Sequence, residues 1–327
     1  MDINDIAQKA GVSRATVSRF LNNGYVSQEK RDLIQRIIDE TGFVPSRRAR
    51  QLRTGKTNLV AIIIPKINSQ SVSRMVAGIT EVLSANEYQA LLADTSGNEH
   101  AELDYLRLFS NQQQVDGIIL LATVFTPEHK SAIDKLRIPL VVLGQHLEGH
   151  TSVYHNDYGA IHDVTARLLP KARAIAYLGV REEDEAAGAL RHRGFIDACA
   201  EAGVCVPEEA QQQVEFSSDA GFFGAEQFLD AFPDLDTIVC ATDDIAFGAM
   251  MCAREYGKRV PDDIQISGLG DSMLSQIIHP SLTTVHLSYK TGGRRAAELL
   301  LERMANRTAP VTEVKLGHMV FIRNSTR

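Results

Sequence analysis

Two short helical patterns joined by a tight turn open the chain, and they constrain its fold more than any other feature. Asp2 can cap a first helix that reaches about Ala10, and Ser13 can cap a second helix over residues 14–21. Gly11 lies between them and can adopt the left-handed conformation that ends a helix. The pattern is that of a helix-turn-helix, whose second helix fits the major groove of DNA.

A third helix is predicted from Ser27, which can cap it, to about Thr41. Its apolar side chains recur at helical spacing and would close a small core with inward-facing Val17 and Leu21; they are Leu33, Ile34, Ile37 and Ile38. We therefore predict an all-helical DNA-binding domain over residues 1–45.

The second helix carries the side chains that we predict to contact DNA. Arg14 and Arg19 can each offer a bidentate fork to guanine, worth about 1–3 kcal/mol of discrimination for a good pair. Ala15 can at most touch a thymine methyl group. Short or planar polar groups in and after this helix suit phosphate oxygens, and these are Thr16, Ser18, Asn22 and Tyr25.

Charge divides the chain at the same place. Residues 1–57 hold eleven Lys/Arg and six Asp/Glu, a net charge of +5, whereas the whole chain carries −7, so residues 58–327 carry −12. A basic head on an acidic body predicts that a polyanion contacts the head alone.

Length and composition limit what the rest can be. With 327 residues and 44% hydrophobic content, the chain can build two or three domains with real cores. No run approaches the roughly 18 apolar residues of a membrane span, and the start has no secretory signal, so we expect a cytoplasmic protein. The cysteines lack a C-x-x-C pair and favour four buried thiols without a metal: Cys199, Cys205, Cys240 and Cys252.

From residue 58 onward, short apolar runs alternate with helical patterns. The runs that we predict as strands are residues 59–64, 89–93, 117–122, 140–143, 174–180, 237–241 and 264–269. This alternation is typical of βαβ units, which form parallel sheets with helices on both faces. The expected strands are too many for one compact sheet, so we predict two similar lobes with a ligand crevice at the strand carboxyl ends.

The head resembles the opening signature of the lactose-repressor/galactose-repressor (LacI/GalR) family, through the pattern Ile3-x-x-Ile-Ala-x-x-Ala-Gly-Val-Ser-x-x-Thr-Val-Ser-Arg-x-Leu-Asn. The resemblance continues through Val44-Pro45-Ser46-x-x-Ala49-x-x-Leu52 and then covers the rest of the chain. It implies an all-α helix-turn-helix head plus an α/β periplasmic-binding-protein-like body of two doubly wound parallel-sheet lobes.

Residues 46–57 are interpreted as a short hinge helix and linker. A helix of about eight residues is marginal alone in water, and its four arginines repel one another: Arg47, Arg48, Arg50 and Arg53. DNA phosphates would relieve that repulsion, and Arg48 is our candidate for this contact. The resemblance implies that two hinge helices, one per subunit of a homodimer, fold together in the minor groove with Leu52 as an apolar wedge.

The resemblance also implies an effector-binding and dimerisation domain over residues 58–327, with three chain crossings between its lobes. The first lobe would hold about 59–157 and 287–313, and the second about 158–286 and 314–327. No heptad repeat follows the last predicted strand, residues 319–323, so we expect a dimer and not a tail-linked tetramer.

Candidate effector-binding residues lie where strands end. The polar loop after the first strand contains Lys66, Asn68 and Ser69, and it leads into a helix whose N-terminus favours anions. Arg191 begins a later helix, and its fork suits sugar hydroxyls or phosphate. The resemblance implies ligand contact at Lys66 and Arg191, and Phe216 stands where the family often places an aromatic platform.

One position departs from the family pattern. The family commonly has a carboxylate where this chain has Gly270. Asp271 follows one residue later, and we keep it as a candidate effector-binding residue.

Part of the body resembles trehalose repressors, which recognise a disaccharide phosphate; the stretches that carry this resemblance are 152–160, 177–180 and 191–193. Those repressors have arginine where this chain has Lys66 and Gln145. One cation is therefore kept as lysine, and the other is replaced by an amide; we keep both Lys66 and Gln145 as candidate effector-binding residues. We predict a disaccharide or its phosphate as the effector, and no cofactor.

These observations predict a DNA-binding transcriptional regulator, in the first place a repressor of a sugar-utilisation operon. An effector would control its affinity for a pseudo-palindromic operator. A purine- or nucleoside-responsive regulator and a catabolite-control regulator that binds a phosphocarrier protein are the alternatives. An enzyme is disfavoured because the sequence contains no Walker motif, G-x-S-x-G elbow or H-E-x-x-H, so no catalytic or metal-binding residues are predicted.

Overall fold

The computed structural model describes residues 1–22, 24–43, 56–111 and 114–327. They belong to two compact units, Met1–Asn58 and Leu59–Arg327, which we call the head and the body. The predicted hinge helix, with Arg48 and Leu52, lies outside the described residues. No helix within the described ranges is both long and apolar enough to cross a membrane.

The head contains the three predicted helices, α1 (Ile3–Lys9), α2 (Arg14–Leu21) and α3 (Gln28–Thr41). Asp2 caps α1, because its carboxylate accepts hydrogen bonds from the backbone N–H groups of Asn4 and Asp5. Gly11 has φ +60°, the left-handed conformation that the turn requires. Ser13 caps α2 as expected, whereas the side chain of Ser27 makes no cap hydrogen bond to α3.

The core of the head differs in detail from the predicted one. Val17, Ile34 and Ile37 are buried as expected, but Leu33 is exposed and Phe20 is buried. A helix buries one stripe of its surface, and in α3 this stripe passes through residues 34 and 37 and leaves residue 33 at its edge.

The first lobe of the body is built on β1 (Leu59–Ile64), β2 (Gln89–Asp94), β3 (Gly117–Leu120), β4 (Leu140–Gly144), β5 (Ser152–His155) and β11 (Glu313–Leu316). These strands form one parallel sheet in the order β11-β5-β4-β3-β1-β2. Its helices are α4 (Gln70–Ala85), α5 (Glu99–Asn111), α6 (Pro127–Asp134) and α12 (Tyr289–Ala305). Alternate residues of β1 enter two different core clusters, so both faces of the sheet are covered.

The second lobe is built on β6 (Ile175–Gly179), β7 (Gln211–Gln213), β8 (Thr237–Cys240) and β9 (Gln265–Ser267), a parallel sheet in the order β7-β6-β8-β9. Its α-helices are α7 (Asp157–Leu168), α8 (Arg191–Glu201), α9 (Ser218–Ala231), α10 (Asp243–Glu255) and α11 (Met273–Ile277). Short 3-10 helices span Leu169–Lys171 and Glu208–Ala210, and a π-helix spans Glu185–Leu190. The predicted fold class is confirmed. Of the cysteines, Cys205 is exposed and not buried as expected.

Three segments connect the lobes. The first runs from β5 into α7, and the other two are β10 (Thr284–Leu287) and β12 (His318–Phe321), which pair antiparallel. Because β11 pairs with β5, the last segment of the first lobe reaches residue 316 and not residue 313 as expected. β11 is an exposed edge strand without an apolar run, so the sequence pattern did not reveal it.

Two glycines let α4 and α12 pack closely beside the first sheet. A Cβ atom at Gly78 would lie 2.1 Å from the carbonyl oxygen of Lys290, and one at Gly293 would lie 2.0 Å from that of Met75. A larger residue at either position would push the helices apart. These glycines therefore set the position of two residues in the adjoining cavity wall, Met75 and Tyr289.

Candidate ligand cavity and DNA-contacting helix

A cavity of about 760 Å³ lies between the two lobes of the body. Its walls are the carboxyl ends of parallel strands and the loops that follow them, as expected for open α/β sheets. The first lobe contributes the loops after β1, β3 and β4, and the second lobe contributes those after β6, β7, β8 and β9. Its volume is within the range of small-molecule sites.

Six of the seven predicted effector-binding residues line this cavity, and they are Lys66, Asn68, Ser69, Gln145, Arg191 and Phe216. Ser69 also caps α4, because its hydroxyl accepts from the N–H of Val72. Phe216 is 37% exposed, so part of its ring is available to a ligand. The fold brings these side chains together, and their contact with an effector stays a prediction.

Arg191 is buried in the cavity wall and held by protein acceptors. Its Nε and Nη2 atoms donate to Oδ1 of Asp157 at 2.8 and 2.6 Å, and Nη1 donates to the carbonyl oxygen of Ala241 at 2.8 Å. Burial acts to lower the pKa of Arg191, but the charge of Asp157 outweighs it and raises that pKa. Arg191 is therefore a permanent cation that joins α7, α8 and the end of β8.

Asp271 is the exception among the predicted effector residues, because it does not line the cavity. Its carboxylate accepts from Nη2 of Arg323 at 2.5 Å and contacts Nδ1 of His286 at 2.9 Å. Burial acts to raise the pKa of Asp271, but these two partners hold it below its usual value. We correct the prediction accordingly: Asp271 anchors its own loop, and the neighbouring Gly270 and Ser272 face the cavity.

Sequence reasoning missed several residues of the cavity wall. Asp184, at the N-cap of the π-helix, accepts from the N–H of Ala187 at 2.9 Å and from Nε2 of Gln145 at 3.1 Å. Burial raises the pKa of Asp184 to about 6. Arg74 and Tyr289 also line the cavity. An N-cap signal could have indicated Asp184, but Arg74 lies inside a helix, where the strand-end rule does not look.

Cationic and acidic side chains lie together in the cavity wall. Four cations and five carboxylates line it, namely Lys66, Arg74, Arg181 and Arg191 with Asp157, Asp184, Glu215, Asp243 and Asp244. Each of the three guanidinium groups already contacts a carboxylate or a backbone carbonyl oxygen. Burial raises the pKa of Asp244, and the nearby charge of Lys66 acts to lower it. An anionic ligand would therefore compete with protein acceptors for every guanidinium group among these lining residues.

The solvent face of α2 carries the predicted DNA contacts. Val17 and Phe20 are buried on the opposite side of the helix. Thr16 and Ser18 are half-buried, and Oγ1 of Thr16 lies 2.9 Å from Oγ of Ser13 in the helix cap. The remaining predicted contacts in the described residues are exposed, and they are Arg14, Ala15, Arg19, Asn22 and Tyr25. Their exposure is what groove contact requires, and the contact itself stays a prediction.

Comparison with known proteins matches both parts of the chain. Residues 2–46 match the model of bacterial regulatory proteins of the lacI family, and residues 170–326 match a periplasmic binding protein-like domain. The chain is 34% identical to the sucrose operon repressor of Staphylococcus xylosus, over 91% of this chain and 92% of that protein. It is 30% identical to the HTH-type transcriptional regulator TreR of Salmonella typhimurium, over 95% and 96% of the two chains.

Solved structures share the whole architecture. The transcriptional regulator CelR-cellobiose complex is similar with a TM-score of 0.77 and 27% identity, over 99% of both chains. The lac repressor dimer bound to operator and the anti-inducer ONPF has a TM-score of 0.91 at 21% identity, over 100% of this chain and 99% of that one. A helix-turn-helix head followed by a two-lobed body with a central cavity defines the class of ligand-responsive transcriptional regulators. The chain belongs to the LacI family of bacterial regulatory proteins.

Proposed function

We propose that this protein is a DNA-binding repressor of a sugar-utilisation operon, controlled by a disaccharide in the cavity between its lobes. The cavity carries this proposal, because it joins polar strand-end loops of both lobes in a chain with a helix-turn-helix head. The similarity of the chain to a sucrose operon repressor and to a regulator solved with cellobiose supports a disaccharide effector. The protein binds and releases its effector without turnover, and it acts in the cytoplasm, where its operator is.

Effector control requires a difference in affinity between two arrangements of the lobes. A ligand in this cavity contacts both walls at once, so it binds more tightly when the lobes are close. Three segments connect the lobes, so a change in the angle between the lobes must change the backbone conformation of all three segments. A near-complete switch of operator binding needs a difference of about 10⁴-fold in effector affinity between the two arrangements.

A homodimer would present two heads to the two halves of a pseudo-palindromic operator. In the second lobe, α11 exposes large apolar side chains, with Met273 75% and Ile277 63% exposed. Exposed apolar side chains of this size are typical of protein interfaces, and a second copy would cover them.

We infer that the effector is the free sugar and not its phosphate. Calorimetric titration with sucrose, cellobiose and sucrose 6-phosphate is expected to show at least one free disaccharide binding about tenfold or more tightly than the phosphate. The reason is that a phosphate would lie near five carboxylates, while the guanidinium groups are already held by protein acceptors. Tighter binding of the phosphate that is lost in Lys66→Ala would contradict the inference and restore the predicted role of Lys66.

Substitution of Arg19 by alanine is expected to weaken operator binding by about 10–100-fold, because it removes a bidentate base contact. The operator is first selected from random DNA with the full-length protein, and affinity is then measured by fluorescence anisotropy. The matched control is Arg36→Ala, an exposed arginine on α3, which should leave the preference for operator over random DNA unchanged. An equal loss on operator and random DNA in Arg19→Ala would show that Arg19 contacts phosphate alone.

A further inference from the structure

In the part of the chain that the structure describes, hydrogen bonds or ion pairs of polar side chains join the two lobes beside the cavity at three places. The three contacts are Nε2 of Gln145 to Oδ1 of Asp184 at 3.1 Å, Nη1 of Arg181 to Oε1 of Glu99 at 3.6 Å, and Nη1 of Arg74 to the carbonyl oxygens of Gly270 and Asp271 at 2.8 and 3.2 Å. They differ in their partners and burial, and these properties decide how strongly each can hold the lobes together.

The contact made by Arg74 is built differently from the other two. Arg74 projects from α4 of the first lobe, and its guanidinium carbon lies 5.3 Å from the ring centroid of Tyr289. The ring therefore supports the planar cation from one side, an arrangement that stabilises arginine when it is partly removed from water. Arg74 is half-buried and lines the cavity.

The loop that Arg74 contacts is itself fixed to the segments that connect the lobes. Gly270 has φ +140° and Asp271 has φ +46°. Residues other than glycine rarely adopt these backbone conformations. The N–H of Gly270 donates to the carbonyl oxygen of Val285 in β10 at 2.9 Å. The carboxylate of Asp271 contacts His286 in β10 and Arg323 just after β12.

This arrangement explains why Asp271 does not face the cavity, although the sequence predicted that it would. Its carboxylate holds the left-handed turn against β10 and β12, and the turn directs two adjacent carbonyl oxygens towards Arg74. A Cβ atom at Gly270 would lie 3.5 Å from Oδ2 of Asp243, an ordinary contact, so the φ of +140° and not a lack of space favours glycine at this position. A helix of the first lobe is thereby linked through one guanidinium group to the loop that is anchored on the connecting strands.

The other two contacts are weaker candidates for this role. Arg181 and Glu99 have side chains that are 46% and 37% exposed, and an exposed ion pair of this kind contributes between about 0 and 1 kcal/mol. Gln145 offers a single amide hydrogen bond to Asp184, which also caps the π-helix. The contact of Arg74 differs from both, because one charged donor reaches two carbonyl oxygens and is also supported by the ring of Tyr289.

We propose that Arg74 holds the two lobes together by donating to the carbonyl oxygens of Gly270 and Asp271, and we call this contact the clasp. It stabilises the arrangement in which the lobes are close, and it thereby sets effector affinity. The part that concerns the effector rests on the proposed function, whereas the clasp between the lobes does not. Arg74 is therefore a positioning residue, because it affects effector affinity by holding the two walls of the cavity in place.

The test compares hydrogen–deuterium exchange of the ligand-free, full-length protein in wild type, Arg74→Ala and Arg74→Lys. In Arg74→Ala, amides of the 268–272 loop and of both cavity walls, residues 66–69 and 183–187, are expected to exchange about tenfold or more faster. Arg74→Lys should recover part of the protection, because an ammonium group still donates to carbonyl oxygens but lacks the planar contact with Tyr289. The matched control is Arg294→Ala, since Arg294 pairs with Glu81 inside the first lobe.

Unchanged exchange in Arg74→Ala, or faster exchange confined to the 268–272 loop, would overturn the clasp. Calorimetry with sucrose and cellobiose adds the second measurement, in which Arg74→Ala is expected to bind about tenfold more weakly than wild type while Arg294→Ala is unaffected. Equal affinities of Arg74→Ala and wild type would overturn the link to effector affinity. If neither sugar binds the wild-type protein, the effector proposal is wrong, and the exchange result still decides the clasp.

Discussion

Replacement of Arg191 by alanine is expected to lower the free energy of unfolding of the body by about 3–5 kcal/mol, because it leaves the buried carboxylate of Asp157 without its cation. The carbonyl oxygen of Ala241 loses its donor in the same step. Urea-induced unfolding followed by circular dichroism measures the loss. Because Arg191 and Asp157 line the cavity, the variant should also lose sugar binding, while the head should still bind DNA.

A double variant separates the charge effect from the packing effect. Arg191→Met with Asp157→Leu removes both charges and keeps most of the buried volume, so it should regain most of the stability that Arg191→Ala loses. The matched control is Arg193→Ala, whose side chain is 71% exposed and pairs with Asp197, and it should cost less than about 1 kcal/mol. If the double variant is as unstable as Arg191→Ala, the unpaired charge is not the cause.

Replacement of Glu102 by glutamine is expected to stabilise the protein by on the order of 4 kcal/mol above pH 8. Glu102 is buried in α5, and its Oε1 atom has no hydrogen-bond partner in the described structure. Nε2 of His129 lies 3.7 Å away, too far for a hydrogen bond. Burial therefore raises the pKa of Glu102 from 4.5 to about 8, and a pKa difference of one between the folded and unfolded states corresponds to about 1.36 kcal/mol.

The sign of the pH dependence follows from proton linkage. Between pH 4.5 and about 8, the folded protein keeps a proton on Glu102 that the unfolded chain has released, so the stability of the wild-type protein falls as the pH rises through this window. The gain in the free energy of unfolding from Glu102→Gln should shrink to less than about 1 kcal/mol at pH 5. At this pH the glutamate of the wild type is protonated in the folded state and is as neutral as the glutamine of the variant. Burial lowers the pKa of His129, so this neighbour also stays neutral above pH 6.5.

Urea unfolding at pH 5 and pH 8.5 measures the effect of Glu102→Gln. Asp104→Asn is the control on the same helix, because the side chain of Asp104 is 76% exposed and its charge should matter little at either pH. A variant with the same stability as wild type at pH 8.5 would show that Glu102 ionises in the folded protein without penalty.

The three helices of the head could be predicted almost completely from the sequence. Asp2, Gly11 and Ser13 act through hydrogen bonds and backbone conformations within a few residues of themselves, so local patterns contain the information. The error at Leu33 came from the edge of an apolar stripe, where one residue of offset decides between burial and exposure.

The strand-end rule also located most of the cavity wall. Lys66, Gln145 and Phe216 follow strands, and parallel strands bring their carboxyl ends to one edge of a sheet. The rule could not say which way a side chain turns at that edge. Asp271 turns to Arg323, 52 residues further along the chain, and no local pattern indicates that partner.

The sequence by itself therefore determined the three helices of the head, the alternation of strands and helices in the body, and the sheet edges that line the cavity. These follow from hydrogen bonding and apolar spacing over short stretches. The tertiary structure alone decided which distant groups meet, such as Arg191 with Asp157 and Arg74 with the carbonyl of Gly270, 196 residues away. Such contacts depend on the packing of whole helices and sheets, which sets distances and burial that spacing along the chain does not contain.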